Sequence, residues 1–195
     1  MIPWLGRGFR YGLVVALLLA LGWTGLGREK DRALPAQGGA ASGATIGATI
    51  AVTFYFPSRS GDVLLPEVRR MAAEHSSPGE VVAELLKGPS PGLLLVNPFP
   101  PGTRLRGWSL QADGTLVVDF SPEIVTRHWG GTAGEMATVY SLVNTLTRLS
   151  GVRAVLIEVE GQPVDTLAGH LDLRYPLTFA TELVGGESGS GSGRL

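Results

Sequence analysis

The chain has 195 residues, of which 44% are hydrophobic and 17% charged, with a formal net charge of -1 and no cysteine. That balance excludes a disordered chain, and it gives no electrostatic basis for binding nucleic acid. The lack of cysteine excludes disulfides, thiolate metal sites, a cysteine nucleophile and a lipid-modified cysteine at the N-terminus.

Arg7 and Arg10 precede the uncharged run Tyr11 to Gly27, and the charged Arg28 to Arg32 follow it. Cation, apolar run and polar flank together make the pattern of a secretion signal or a single membrane anchor. The run lies near the lower end of the roughly 17–25 residues a spanning helix needs. Trp4 and Trp23 stand near its two ends, as interfacial aromatics do. The charges after it push the first small-residue cleavage site out to around Ala36. Residues 1–32 are therefore read as an uncleaved anchor, with a cleaved signal as the alternative. The arginines on the short N-terminal side put that end in the cytoplasm and the rest outside. Residues 33–48 are small and glycine-rich and form a flexible linker, and 185–195 form a glycine-serine tail. The folded body is 49–184.

Within the body, Ile50 to Phe56 alternates Val52, Phe54 and Phe56 on one side, a strand pattern that Pro57 ends. Val63 to Met71 can pair back after the Ser60-Gly61-Asp62 turn. A helix follows: Ser77 caps it, Pro78 suits its first turn and Glu80 completes a capping box. Val81, Val82, Leu85 and Leu86 make its apolar stripe, and Gly88-Pro89 stop it. Asn97 to Thr103 holds three prolines and is irregular. Thr103 to Leu110 and Thr115 to Phe120 flank Ala112-Asp113-Gly114, a strong hairpin signal, with Leu116, Val118 and Phe120 facing the core. A longer helix opens with a capping box from Thr132 to Glu135. It carries Met136, Val139, Tyr140, Val143, Leu146 and Leu149, and Gly151 ends it. Val152 to Gly161 is a strand, Gly161-Gln162-Pro163 a turn, and Val164 to Leu167 can pair back. Mixed hairpins and helices give an α+β fold: a small mixed sheet with two helices packed on one face, plus extra hairpins.

The segment Glu160 to Leu173, EGQPVDTLAGHLDL, concentrates Asp165, His170 and Asp172. On a strand, His170 and Asp172 would share a face and could ligate an ion, but a site needs further ligands, and the spacing of His75, His128 and His170 supplies none. The structural reading is favoured: Asp165 and Thr166 bond backbone amides in a turn, Gly169 supplies a positive φ, and His170 or Asp172 satisfies exposed backbone groups. No nucleophile elbow or phosphate loop is present. Asp119 and Glu123 do not make a convincing carboxylate pair. Trp129, before Gly130-Gly131, is a candidate contact on a loop.

Five stretches together resemble the GerMN domain of sporulation and spore germination proteins. They are PPGT (Pro100, Pro101, Gly102, Thr103), DGTLVVDFS (Asp113 to Ser121, with Asp119), GGTAGE (Gly130, Gly131 to Glu135), VNTLTRLSGV (Val143 to Val152) and EGQPVDTLAGHLDL. The resemblance runs from about Thr49 to Leu177. It implies a fold like the ring-building motif of secretion and sporulation channel proteins. It also implies a non-enzymatic role on the outer face of a bacterial membrane, with no cofactor and no metal. Implied partners are the membrane, through the N-terminal segment, other envelope or sporulation proteins, and a second copy. Family members are often lipoproteins and some carry two domains; this chain has no cysteine and one copy. Candidate interaction or signature positions are Pro100, Pro101, Gly102, Asp119, Trp129, Gly130, Gly131, Gly169, His170 and Asp172. The rival reading is a peptidoglycan-binding accessory or cell-wall hydrolase domain, for which Trp129, Trp108 and Tyr55 would have to converge on one exposed groove.

Overall fold

A computed structural model of the chain describes residues 47–185. The expected anchor (1–32), nearly all of the linker and all but the first residue of the tail lie outside the described residues.

β1 (Thr49–Pro57) and β2 (Leu64–Ala72) pair antiparallel in an unbroken register from Thr49↔Ala72 to Pro57↔Leu64. Val52, Phe54 and Phe56 alternate into the core as their spacing predicts. Tyr55, one position out of phase, is buried as well: Phe179 packs edge-on against its ring at 5.6 Å and Arg148 Nε donates to its hydroxyl. The returning C-terminal segment therefore covers a face that alternation alone would leave to solvent.

α1 (Pro78–Leu86) starts as its sequence dictates. The Ser77 hydroxyl accepts from Glu80 N, and the Glu80 carboxylate accepts from Ser77 N at 3.0 Å, so two orphan donors of the first turn are met. Val81, Val82 and Leu85 are fully buried, each contributing about 1.5–3 kcal/mol of hydrophobic stabilisation.

The larger sheet has the order β3-β4-β5-β6. β3 (Leu105–Leu110) and β4 (Thr115–Phe120) form the hairpin around Asp113-Gly114, where Gly114 takes φ +89° and the Asp113 carboxylate accepts from Thr115 N. A short α2 (Glu123–Thr126) and the long α3 (Thr132–Leu146) then lead to β5 (Ala154–Val159), which runs parallel to β4. β6 (Gln162–Pro163) pairs antiparallel with the end of β5. Two expected boundaries move. α3 stops at Leu146, before Gly151, because the chain tightens beyond Thr147 into i→i+3 bonds, Arg148 N donating to Thr145 O and Leu149 N to Leu146 O. The turn after β5 is Glu160-Gly161, at φ +55° and +73°, and the pairing strand ends at Pro163 without reaching Val164.

Leu116, Val118, Phe120, Val155 and Ile157 share one core with the apolar residues of α1, with Val139, Leu142, Val143 and Leu146 of α3, and with the inner side of β1. α3 is buried on its polar side too. Thr145 Oγ1 donates to Ser141 O and accepts from Tyr55 N at 3.0 Å, closing part of the β1 edge. Asn144 exchanges two bonds with the backbone of Ala180, and Thr138 Oγ1 donates to Pro98 O at 2.6 Å. These partners offset the desolvation cost of burying Thr138, Asn144 and Thr145 on a helix.

Candidate functional site

The start of α3 organises the polar segment. Gly130 and Gly131 both take positive φ, +77° and +80°, a conformation that a side chain would strain. Gly131 is the N-cap, so Thr132 is already helical and the expected capping box with Glu135 does not form. The Glu135 carboxylate instead turns inward and is 0% exposed. Oε1 accepts from the Thr166 hydroxyl, from Leu167 N at 2.8 Å and from Ala168 N at 3.0 Å; Oε2 accepts from His170 N at 2.8 Å. Burial pushes this carboxyl up, but the bonds from Thr166, Ala168, His170 and Leu167 outweigh it and hold it below the usual glutamate value.

Residues 165–174 are thus a loop wound around one buried carboxylate. Leu173 N donates to Asp165 O and closes the loop. Gly169 takes φ +91° and its amide donates to Thr166 Oγ1. His170 Nδ1 donates to Ala168 O, and the Asp172 carboxylate takes Arg174 N, Nε and Nη2. Arg174 draws Asp172 down to about 2. His170 and Asp172 therefore do not share a strand face, and each is occupied locally. The Asp165 side chain makes no hydrogen bond among the described residues; its carbonyl serves the turn. A shallow polar cleft of about 250 Å³ lies over Asp165, His170, Asp172 and Arg174. No group of three or more His, Cys, Asp or Glu residues among the described residues is placed to hold a metal ion.

Trp129 stands 55% exposed, its indole Nε1 close over Gly134 and its ring tilted against His128. His128 Nδ1 accepts from Gly130 N, so Nε2 carries the proton and donates to Thr138 Oγ1, which donates onward to Pro98 O. Burial lowers the His128 value, against a smaller opposing pull from the Glu135 charge. The folded state thus prefers neutral His128. Its contribution is present above about pH 6.5, the unfolded value, and is lost as pH falls below that toward the folded one. His128→Gln should therefore flatten the loss of thermal stability between about pH 7.5 and 5.5. Equal pH slopes in the two proteins would refute this role.

Two apolar depressions of about 210 and 180 Å³ share Gly61, Ala133 and Ala137 and form one groove between the β1–β2 turn and the start of α3. Met136 and Leu183 line one end; Trp129, Val96 and Pro98 line the other. Leu94 and Val96, 65% and 43% exposed, extend the apolar surface along the adjoining loop.

The remaining candidate positions have structural tasks. Pro100 is buried, its carbonyl accepting from Thr103 N, while Pro101 O accepts from Arg127 Nη1. Gly102, at φ +88°, lies so close to that guanidinium that a Cβ would meet Nη1 at 2.9 Å. The Asp119 carboxylate accepts from Gly161 N at 2.8 Å and sits 3.5 Å from Arg106 Nε, pinning the β5–β6 turn. Tyr55 is buried, and Trp108 lies on β3 with its indole over Gly79, so these two do not join Trp129 in one exposed aromatic groove.

A two-sheet α+β module with a loop closed on a buried helical carboxylate is the class that this geometry defines. The sporulation and spore germination family model, Germane, matches residues 53–165, and the chain belongs to that family. Among solved structures, the tandem GerMN domains of the sporulation protein GerM from Bacillus subtilis are similar at 23% identity and a TM-score of 0.57, over 70% of this chain and 48% of that one. The chain thus spans about half of that tandem structure. The first GerMN domain of the same protein is similar at 19% identity and a TM-score of 0.54, over 66% of this chain and 97% of that one. No curated protein sequence matches the chain.

Proposed function

We propose that this chain is a non-enzymatic, membrane-tethered interaction module that works outside the cytoplasm in sporulation, germination or envelope assembly. Family membership supports the sporulation setting. The tether rests on the sequence of residues 1–32, with its arginines before an uncharged run. The observation that carries the interaction role is a contrast between two surfaces. The polar loop spends its Leu167, Ala168 and His170 amides on Glu135 and its Asp172 carboxylate on Arg174. The groove beside Trp129 leaves apolar side chains open to water, the kind of surface that marks contact sites.

The test is fractionation of cells expressing the full chain with a C-terminal tag, followed by protease treatment of intact protoplasts. The tag should pellet with membranes and be digested from outside. A tag that stays protected until lysis would overturn the outward-facing reading.

A further inference from the structure

Exposed apolar side chains gather at one end of the domain. Leu93, Leu94, Val96 and Trp129 are 44%, 65%, 43% and 55% exposed. The backbone fixes their placing. Ser90-Pro91-Gly92-Leu93 forms a turn, with Leu93 N donating to Ser90 O and Gly92 at φ +89°. Leu95 then bridges Ser58, and Val96 N donates to Pro57 O at 3.0 Å, which staples the segment to the end of β1. Leu95 packs against the core. Alternation along this extended stretch puts Leu94 and Val96 on the opposite, outer side. Val96 lines the same depression as Trp129, so the turn and the tryptophan share one apolar face. Pro89 and Pro91 have no N–H, and Ser90, Leu93 and Val96 donate theirs within the domain. Most backbone donors of this segment therefore need no partner from outside. Among the described residues, Arg59 is the one charged side chain lining the Trp129 depression, and it is exposed and forms no ion pair.

We propose that this face seats on an anionic bilayer surface, with Leu93 and Leu94 entering the boundary between headgroups and acyl chains. Trp129 then lies at headgroup level and Arg59 meets lipid phosphate. This names the partner of the surface beside Trp129 and rests on the tethered, outward-facing reading given above. Aliphatic tips, an indole and an unpaired cation match the apolar and charged layers of a membrane interface. A segment whose backbone donors are mostly met enters the apolar layer at little polar cost. The length of chain before the domain permits the contact. β1 has nine residues, about 30 Å, and the face lies at its Pro57 end, whereas the chain enters at Thr49. Residues 33–48 reach about 55 Å when extended, so they span β1 with length to spare. The tether also holds the face at high local lipid concentration, so a patch too small to recruit a free protein is enough.

The chain has no cysteine, so one introduced thiol reports one place. Full-length Leu94→Cys and Leu110→Cys proteins carry a polarity-sensitive fluorophore and are reconstituted without other proteins into phosphatidylethanolamine–phosphatidylglycerol vesicles with brominated acyl chains. Leu110 is the reference: it lies beside Gly151, past the C-terminal end of α3, and Trp129 precedes the start of that helix, about 22 Å away along its axis. The label at position 94 should be quenched severalfold more than that at 110. Arg59→Glu should reduce the quenching in these vesicles and leave it unchanged in phosphatidylcholine vesicles. Equal quenching at the two positions, in protein that floats with the vesicles, overturns the proposal and leaves the tether intact. Protein that does not float removes the tether and the proposal together. A label at 94 that stays wet in lipid vesicles but is shielded from a water-soluble thiol reagent in native membranes assigns the face to a protein partner, which also overturns it.

Discussion

Glu135→Ala should cost the fold on the order of 4 kcal/mol, because it strips one acceptor group from four donors at once. The Thr166 hydroxyl and the amides of Leu167, Ala168 and His170 converge on a carboxylate that is 0% exposed. In the native fold the carboxylate is closed off from solvent, so the four donors lose their acceptor inside the protein. The expected fall in Tm is on the order of 10 °C, read by thermal and denaturant unfolding. Glu135→Gln should recover only part of this, since its amide nitrogen must face an N–H donor. The pH dependence has a fixed sign. A folded value held below the unfolded one contributes stability above about pH 4.3, lost as pH falls through the folded value. Glu135→Gln should therefore lose stability less steeply in acid than the native chain. An alanine variant within about 1 kcal/mol of the native protein would show that the loop does not depend on this carboxylate.

Glu135 also shows where sequence reading succeeds and where it stops. The alternation of Val52, Phe54 and Phe56, the Ser77–Glu80 box and the Asp113-Gly114 turn are local rules, and each appears as its residues dictate. The motif Thr132-x-x-Glu135 obeys the same local rule, yet Glu135 bonds a loop more than thirty residues away. A signal was present: Glu135 falls on the stripe of Val139, Leu142 and Leu146, the side that enters the core. An acid on an apolar stripe demands buried donors, and the small, turn-rich segment around Gly169 can supply backbone amides. The polarity of that segment was legible, but its purpose was not. Thr138, Asn144 and Thr145 were missed for the same reason, since their partners Pro98, Ala180 and Tyr55 are distant in sequence. The groove at Trp129 was half legible. The tryptophan and the two glycines stand out, whereas Gly61 and Ala137 join them only through the packing of the β1–β2 turn on α3.

Arg69→Met should cost about 3 kcal/mol, the second large effect expected in this domain. The Arg69 side chain is 13% exposed and Glu67 8%. Its guanidinium donates twice to Glu67, at 2.7 and 3.0 Å, and also to Glu84 Oε1 and Gly88 O. It lies 4.8 Å from the Phe54 ring centre and 5.4 Å from that of Phe56. Methionine keeps the apolar stem against those rings and removes the charge, so the loss measures the ion pair more than the packing. It leaves Glu67 buried with Ser90 as its remaining partner. The double variant Glu67→Gln with Arg69→Met should then be less damaged than the sum of the two single variants. Arg69→Lys should fall between, because an ammonium cannot fork onto a carboxylate and reach Gly88 O as well. The hydrogen bond from Arg69 is the largest cause holding Glu67 low. Removing it should shrink the stability that the native chain loses as pH falls below about 4.3. Strict additivity in the double variant would mean that the two side chains act independently.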